Sequence, residues 1–134
     1  MRTILHWIVR SSTERKVQDF KTLKVWQKSH RLTLNIYRAT TEFPRDESYG
    51  LTSQIRRASA SIPANIAEGC GRGGKVELAH FLQMAMGSAS ELEYHLLLVR
   101  DLQFLQHDSY RQLNDDVIEV KRMLASFIGR LRSL

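Results

Sequence analysis

Gly69-Cys-Gly-Arg-Gly-Gly-Lys75 packs several reactive or ligand-binding residue types into one short stretch. Gly69, Gly71 and Gly74 satisfy G-x-G-x-x-G, and Gly69 with Gly74-Lys75 meets most of G-x-x-x-x-G-K-[ST]. Both patterns cradle phosphate on backbone amides where a strand delivers a glycine loop to the start of a helix. Here the preceding residues have helical rather than strand periodicity, and Val76 stands where a Ser or Thr hydroxyl would hold magnesium. The glycines read as a helix-breaking connection, with no nucleotide or other cofactor expected.

Glu77-Leu-Ala-His80 has the Glu-x-x-His spacing of di-iron bundles, which need two such copies and two further inward carboxylates. One copy occurs, and His80 falls on the far side of its helix from Leu78, Phe81 and Leu82, so no metal site is expected. His30 reads as a hydrogen-bonded core histidine, and His95 flanks an apolar stripe without a carboxylate relay. Cys70 is the lone cysteine. It has no base at local spacing and cannot form an internal disulfide, which suits a reducing cytosol. The chain is expected to be non-enzymatic, with no small-molecule substrate.

Cations offer a different chemistry. Lys24, Lys28, Arg31 and Arg38 repeat at helical spacing with no acidic residue between Phe20 and Thr41, and Arg56-Arg57 follow in the next helix. Such a row can neutralise phosphates, which makes these six residues the candidate nucleic-acid contacts. A solvated basic face is the simpler alternative. Arg57 and Glu68 fall on one side of their helix, and structural pairing with polar groups of another helix or subunit, Glu91 or Glu93 for instance, is the first expectation, with an RNA-facing Arg56 and Arg57 second. The formal charge of +6 is unevenly spread: residues 20–75 hold ten basic and four acidic groups, and residues 76–134 hold six and eight. A basic half and an acidic half also complement each other when subunits pack side by side.

These residues need helices to position them. The first helix is expected from about Phe20 to Thr41, with Leu23, Trp26, His30, Leu34 and Tyr37 as its core stripe. Val25, Leu32 and Ile36 fall on the opposite side, a second apolar face that marks a candidate oligomer interface. Phe43-Pro44 ends that helix and Arg45–Gly50 forms the turn. In the second helix Leu51, Ile55, Ala58, Ile62 and Ile66 keep one phase across Pro63. Proline deletes one backbone bond, so a single kinked helix is expected. The third runs from about Val76 to Leu105 on Leu78, Phe81, Leu82, Ala85, Ala89, Leu92, Leu96, Val99 and Leu102. Its small Gly87-Ser-Ala-Ser90 patch is expected where the proline-bearing helix crosses closely. Gln106-His107-Asp108 makes the last turn, with Asp108 as N-cap. The fourth helix carries the heptad Tyr110, Leu113, Val117, Val120, Leu124, Phe127 and Leu131. Short turns between long helices predict an all-α, antiparallel up-down four-helix bundle.

The words "YGLTSQIRRASASIPANIAEGCGR" and "FLQMAMGSASELE", with the upstream "DFKTLKVWQKSHRLTLNIYRATTEFP", closely resemble the four-helix-bundle family encoded in intervening sequences of bacterial 23S rRNA genes. The likeness runs from about Asp19 to the C-terminus. It implies a homo-oligomer, with five subunits favoured, and no catalytic residues. A more distant bundle, the accessory protein of diversity-generating retroelements, binds a reverse transcriptase and nucleic acid. Two functions therefore compete: a homo-oligomeric scaffold or adaptor, and an RNA- or reverse-transcriptase-binding accessory protein. Residues 1–16 lie outside the likeness, and Val17 can be encoded by the start codon GUG. An N-terminal extension and a domain over 17–134 are expected, in a cytoplasmic protein without a membrane segment, since the apolar run Thr3–Val9 is far too short to span.

Overall fold

The structure, a computed structural model, describes residues 19–133. Four helices carry it, α1 (Lys24–Ala39), α2 (Leu51–Gly71), α3 (Lys75–Asp101) and α4 (His107–Arg132), with no strand among the described residues. The expected extension over residues 1–16, and the boundary at Val17, lie outside the described range. Each helix packs against the next, and α4 returns to α1.

The chain enters α1 through a 3-10 turn at Phe20–Thr22, capped by the Asp19 carboxylate on the Lys21 amide at 3.0 Å. Leu23 then leaves helical geometry, with φ −80° and ψ 129°, and turns its side chain into the core. Its position therefore says nothing about the phase of α1. The buried side of α1 is Val25, Ser29, Leu32, Thr33 and Ile36. The expected faces are exchanged. Leu32 and Ile36 are 1% and 0% exposed within the single chain, so Val25, Leu32 and Ile36 are core residues and not a free surface. Conversely, His30, Leu34 and Tyr37 lie outside and Trp26 is half-buried, its ring stacked on His30 at 4.9 Å.

Through α2 the helix is continuous across Pro63, and Ile55, Ala58, Ile62 and Ile66 are buried as their spacing predicts. The Ser59 carbonyl, which loses its usual donor to the proline, accepts the Thr33 hydroxyl from α1 at 2.9 Å. At the far end α2 closes tightly on α3: a Cβ added to Gly69 would meet the Phe81 Cβ at 2.9 Å and Leu78 Cδ1 at 3.0 Å. Gly73, with φ 85°, makes the turn between them.

On α3, Leu78, Phe81, Leu82, Ala85, Ala89, Leu92, Leu96 and Val99 are buried, while Leu102 lies at the C-cap and is exposed. Gly87 is also exposed, and a Cβ there would meet nothing within 4 Å. The expected close crossing does not occur at that residue. Past Leu102 the chain adopts a Schellman ending: Gln103 takes φ 63°, its amide reaches the Arg100 carbonyl at 2.9 Å, and the Phe104 amide reaches Val99 at 3.0 Å. Phe104 then stands 5.7 Å from Phe43 of the first connection. The N-cap of α4 is Gln106 rather than Asp108, which sits in the first turn. The expected heptad is buried from Leu113 to Leu131, with Tyr110 half-buried.

Candidate nucleic-acid and assembly surfaces

The α1 row survives in part as a free cationic face. Lys24, Arg31 and Arg38 are exposed, and none has an acidic partner among the described residues; Arg38 donates to Asn35 Oδ1 at 3.1 Å. Lys28 is half-buried and leans across to α4, where its Nζ lies 3.4 Å from Asp116. Asp116 is also approached by the Gln112 amide at 3.3 Å, so this cation is largely committed to joining α1 and α4.

Arg56 is spent inside the fold. Its Nε donates to Thr40 Oγ1 at 2.8 Å and its guanidinium to the Tyr37 carbonyl at 3.2 Å, over the Tyr37 ring at 4.8 Å. These are terminal carbonyl and hydroxyl groups of α1, so the arginine acts as a C-terminal cap supplied by the neighbouring helix. Arg57 is exposed and opens into a recess of about 340 Å³ that Glu91 of α3 also lines. The two helices bring that expected pair to one recess without closing an ion pair. Glu68 binds Arg72 instead, at 2.8 Å, and Glu93 binds Lys121 of α4 at 2.7 Å. The six candidate cations are thus not gathered into one patch. Lys24 and Lys28 of the α1 row border α4, whereas Arg57 lies between α2 and α3.

The glycine motif is dismantled by its placement. Gly69 and Gly71 belong to α2 itself, and Gly74 is the N-cap of α3. Cys70 is fully buried, and burial pushes its thiol up to about 12, with the Asp19 charge adding to the rise. Glu77 and His80 are exposed, and among the described residues no three His, Cys, Asp or Glu side chains are placed to hold a metal ion together. His95 is buried on α3, not on its flank. Its Nδ1 has no hydrogen-bond partner among the described residues, and Glu91 stands 3.9 Å from the other ring nitrogen. No helix among the described residues is long and apolar enough to cross a membrane.

The pattern of the 23S rRNA-intervening sequence proteins matches residues 21–126. The chain belongs to that family. A crystal structure of a protein of unknown function from the S23 ribosomal protein family of Bacteroides thetaiotaomicron VPI-5482 is similar, with 26% identity and a TM-score of 0.72. The likeness covers 78% of this chain and 95% of that one. No curated protein matches the chain. Membership in the 23S rRNA-intervening sequence family thus fixes a helical fold without attaching a reaction to it.

A surface that the sequence reading missed lies on α3. Val76, Met84 and Tyr94 are 78%, 45% and 58% exposed, and Leu97 stands at 37%. At 100° per residue Val76, Gly87 and Tyr94 share the outward meridian of α3, with Met84 and Leu97 on either side. Leu34 and Tyr37 of α1 add a smaller exposed apolar area. The signal was present in the sequence as a second apolar row on α3, opposite the leucines that build the core.

Proposed function

We propose that this chain is a non-enzymatic scaffold or adaptor of the cytoplasm that assembles with copies of itself, the family resemblance favouring five subunits. The observation that carries the reading is the outward side of α3, where Met84, Tyr94 and Leu97 are exposed within three turns of an unfilled Gly87 and Val76 is exposed about three turns before it. Large apolar side chains left in water on one helix face mark an interaction surface. A helical glycine with nothing against it costs about 1 kcal/mol relative to alanine, unless a neighbouring backbone uses the space. The basic 20–75 half and the acidic 76–134 half favour a head-to-tail contact, which closes into a ring when the rotation permits. Within each subunit we read an up-down order of antiparallel helices with α2 bent at Pro63. The Phe43–Phe104 contact between the first and third connections, and the Lys28–Asp116 pair between α1 and α4, support that order.

Light scattering coupled to size exclusion tests the assembly. The unaltered chain should elute as a species larger than a dimer at tens of micromolar, on the order used for such measurements. Met84→Glu with Tyr94→Glu should reduce it to monomers that keep their helical signal. A monomeric unaltered chain refutes the reading. Leu32→Glu belongs to a different category, since it places a charge in the core and should unfold the subunit.

The second reading is RNA binding, favoured by Lys24, Arg31 and Arg38 having no acidic partner among the described residues. Affinity for a structured RNA should then fall steeply with salt, and Arg31→Glu with Arg38→Glu should flatten the slope. Binding that ignores salt, or is absent at low salt, leaves the row as a solvated face.

A further inference from the structure

Between the start of α1 and the last four turns of α4 runs a groove of about 310 Å³. We propose that this groove binds a single-chain anionic amphiphile, an acyl chain with a carboxylate or phosphate head. Its floor is apolar: the half-buried Met123, with the edges of Leu23, Val25 and Phe127, which otherwise pack in the core. Its rim is basic. Lys24 on the α1 side and Arg130 on the α4 side have no ion-pair partner among the described residues, while Arg122 is neutralised by Glu119 at 2.8 Å. The groove also meets the N-terminus of α1, which has no side-chain cap and no acidic residue in its first turn. Uncapped amides and the helix dipole add to the attraction for an anionic head there.

Size and charge select among possible occupants. The groove follows α4 from Glu119 to Arg130, about 16 Å at 1.5 Å per residue. Its volume lies at the small end of the roughly 300–1,000 Å³ range of ligand cavities. An apolar floor of that length and volume takes one hydrocarbon chain, not a packed helix. The chain's own first sixteen residues carry Arg2, Arg10, Arg15 and Lys16 against Glu14, the wrong sign for a basic rim. An anionic head on an apolar tail satisfies both parts of the groove, through charge-assisted hydrogen bonds and burial respectively.

Decanoate added to the full chain below its micelle concentration is the test, followed by calorimetry and by methionine methyl NMR. Saturable binding is expected, with the Met123 methyl shifting and the Met84 methyl, exposed on α3, unmoved. Lys24→Glu with Arg130→Glu should weaken binding about tenfold or more. Ser126→Phe should fill the groove from an exposed position and abolish binding, with circular dichroism verifying that both variants keep their helices. Butyrate and inorganic phosphate, which lack the tail, should bind at least about tenfold more weakly. Decyl phosphate in place of decanoate separates a phosphate head from a carboxylate head. Absence of saturation overturns the proposal. So does equal affinity for decanol or inorganic phosphate, or an unchanged affinity in folded variants.

Discussion

The Thr33 hydroxyl of α1 donates to the Ser59 carbonyl of α2 across a buried contact of 2.9 Å. In an uninterrupted helix that carbonyl would accept the amide of residue 63, and Pro63 has none. The Ser29 carbonyl lies 3.0 Å from the same hydroxyl, but it belongs to α1's own backbone ladder, and one hydroxyl has one proton. The bond to Ser59 therefore meets the greater need. A threonine on one helix supplies what a proline on the next removed, which is how α2 stays continuous through Pro63.

Thr33→Val keeps the shape and deletes the donor, leaving a buried carbonyl unsatisfied. Urea unfolding should show a loss of about 1–3 kcal/mol. In a Pro63→Ala background the restored amide can serve Ser59, and the same substitution should cost less than half as much. Equal costs in the two backgrounds would mean that the hydroxyl and the proline are not coupled.

This pair also explains what sequence reading could reach. The cores of α2, α3 and α4 were legible because Ile55, Ile62, Leu82, Leu96, Val117 and Leu124 are large, apolar and regularly spaced. The core side of α1 was not, because two of its members, Ser29 and Thr33, are small hydroxyl residues. They sit there for a close approach and a hydrogen bond, and apolar counting ranks them below Trp26, Leu34 and Tyr37. Leu23 adds to this, since it lies before the helix and still points inward. Among the candidate site residues, the chemistry of Arg56 was legible but not its target, because a C-terminal cap supplied by another helix leaves no local pattern.

Two helical glycines should respond in opposite ways. Gly69→Ala drives a Cβ to 2.9 Å from the Phe81 Cβ, which α2 and α3 can relieve only by separating. A loss of about 1–3 kcal/mol is expected from overpacking. Gly87→Ala meets nothing within 4 Å among the described residues, so in the Met84→Glu/Tyr94→Glu background it should stabilise by up to about 1 kcal/mol. Thermal unfolding of both variants checks the signs. Destabilisation by Gly87→Ala in that background would mean that α3 is not open there.

Gln103 holds the left-handed position of the Schellman ending of α3, with φ 63° and an exposed side chain. A non-glycine residue carries a penalty of about 1 kcal/mol in that region. Gln103→Gly should raise stability by roughly 0.5–1 kcal/mol, and Gln103→Ala should not. The measured midpoint of urea unfolding decides between them, with no change in slope expected because the exposed surface is the same.

Cys70 gives the chain a pH dependence of predictable sign. Burial raises its thiol from 9.0 to about 12 in the folded state, whereas the unfolded chain ionises near the ordinary value. Below that value both states hold the proton and nothing is lost. Above it the unfolded state releases its proton while the folded state keeps it, so stability falls as pH rises, by up to about 1.4 kcal/mol per unit until the folded thiol itself titrates. Other alkaline groups titrate in the same window, so the comparison is with Cys70→Ala. That variant should be less stable than the parent at pH 8, because it leaves a small cavity, and the gap should narrow by about 1–2 kcal/mol by roughly pH 10. Iodoacetamide should accordingly leave Cys70 unmodified in the native chain at pH 8 and alkylate it in urea. A constant gap across that range, together with rapid native alkylation, would show that the thiol reaches solvent.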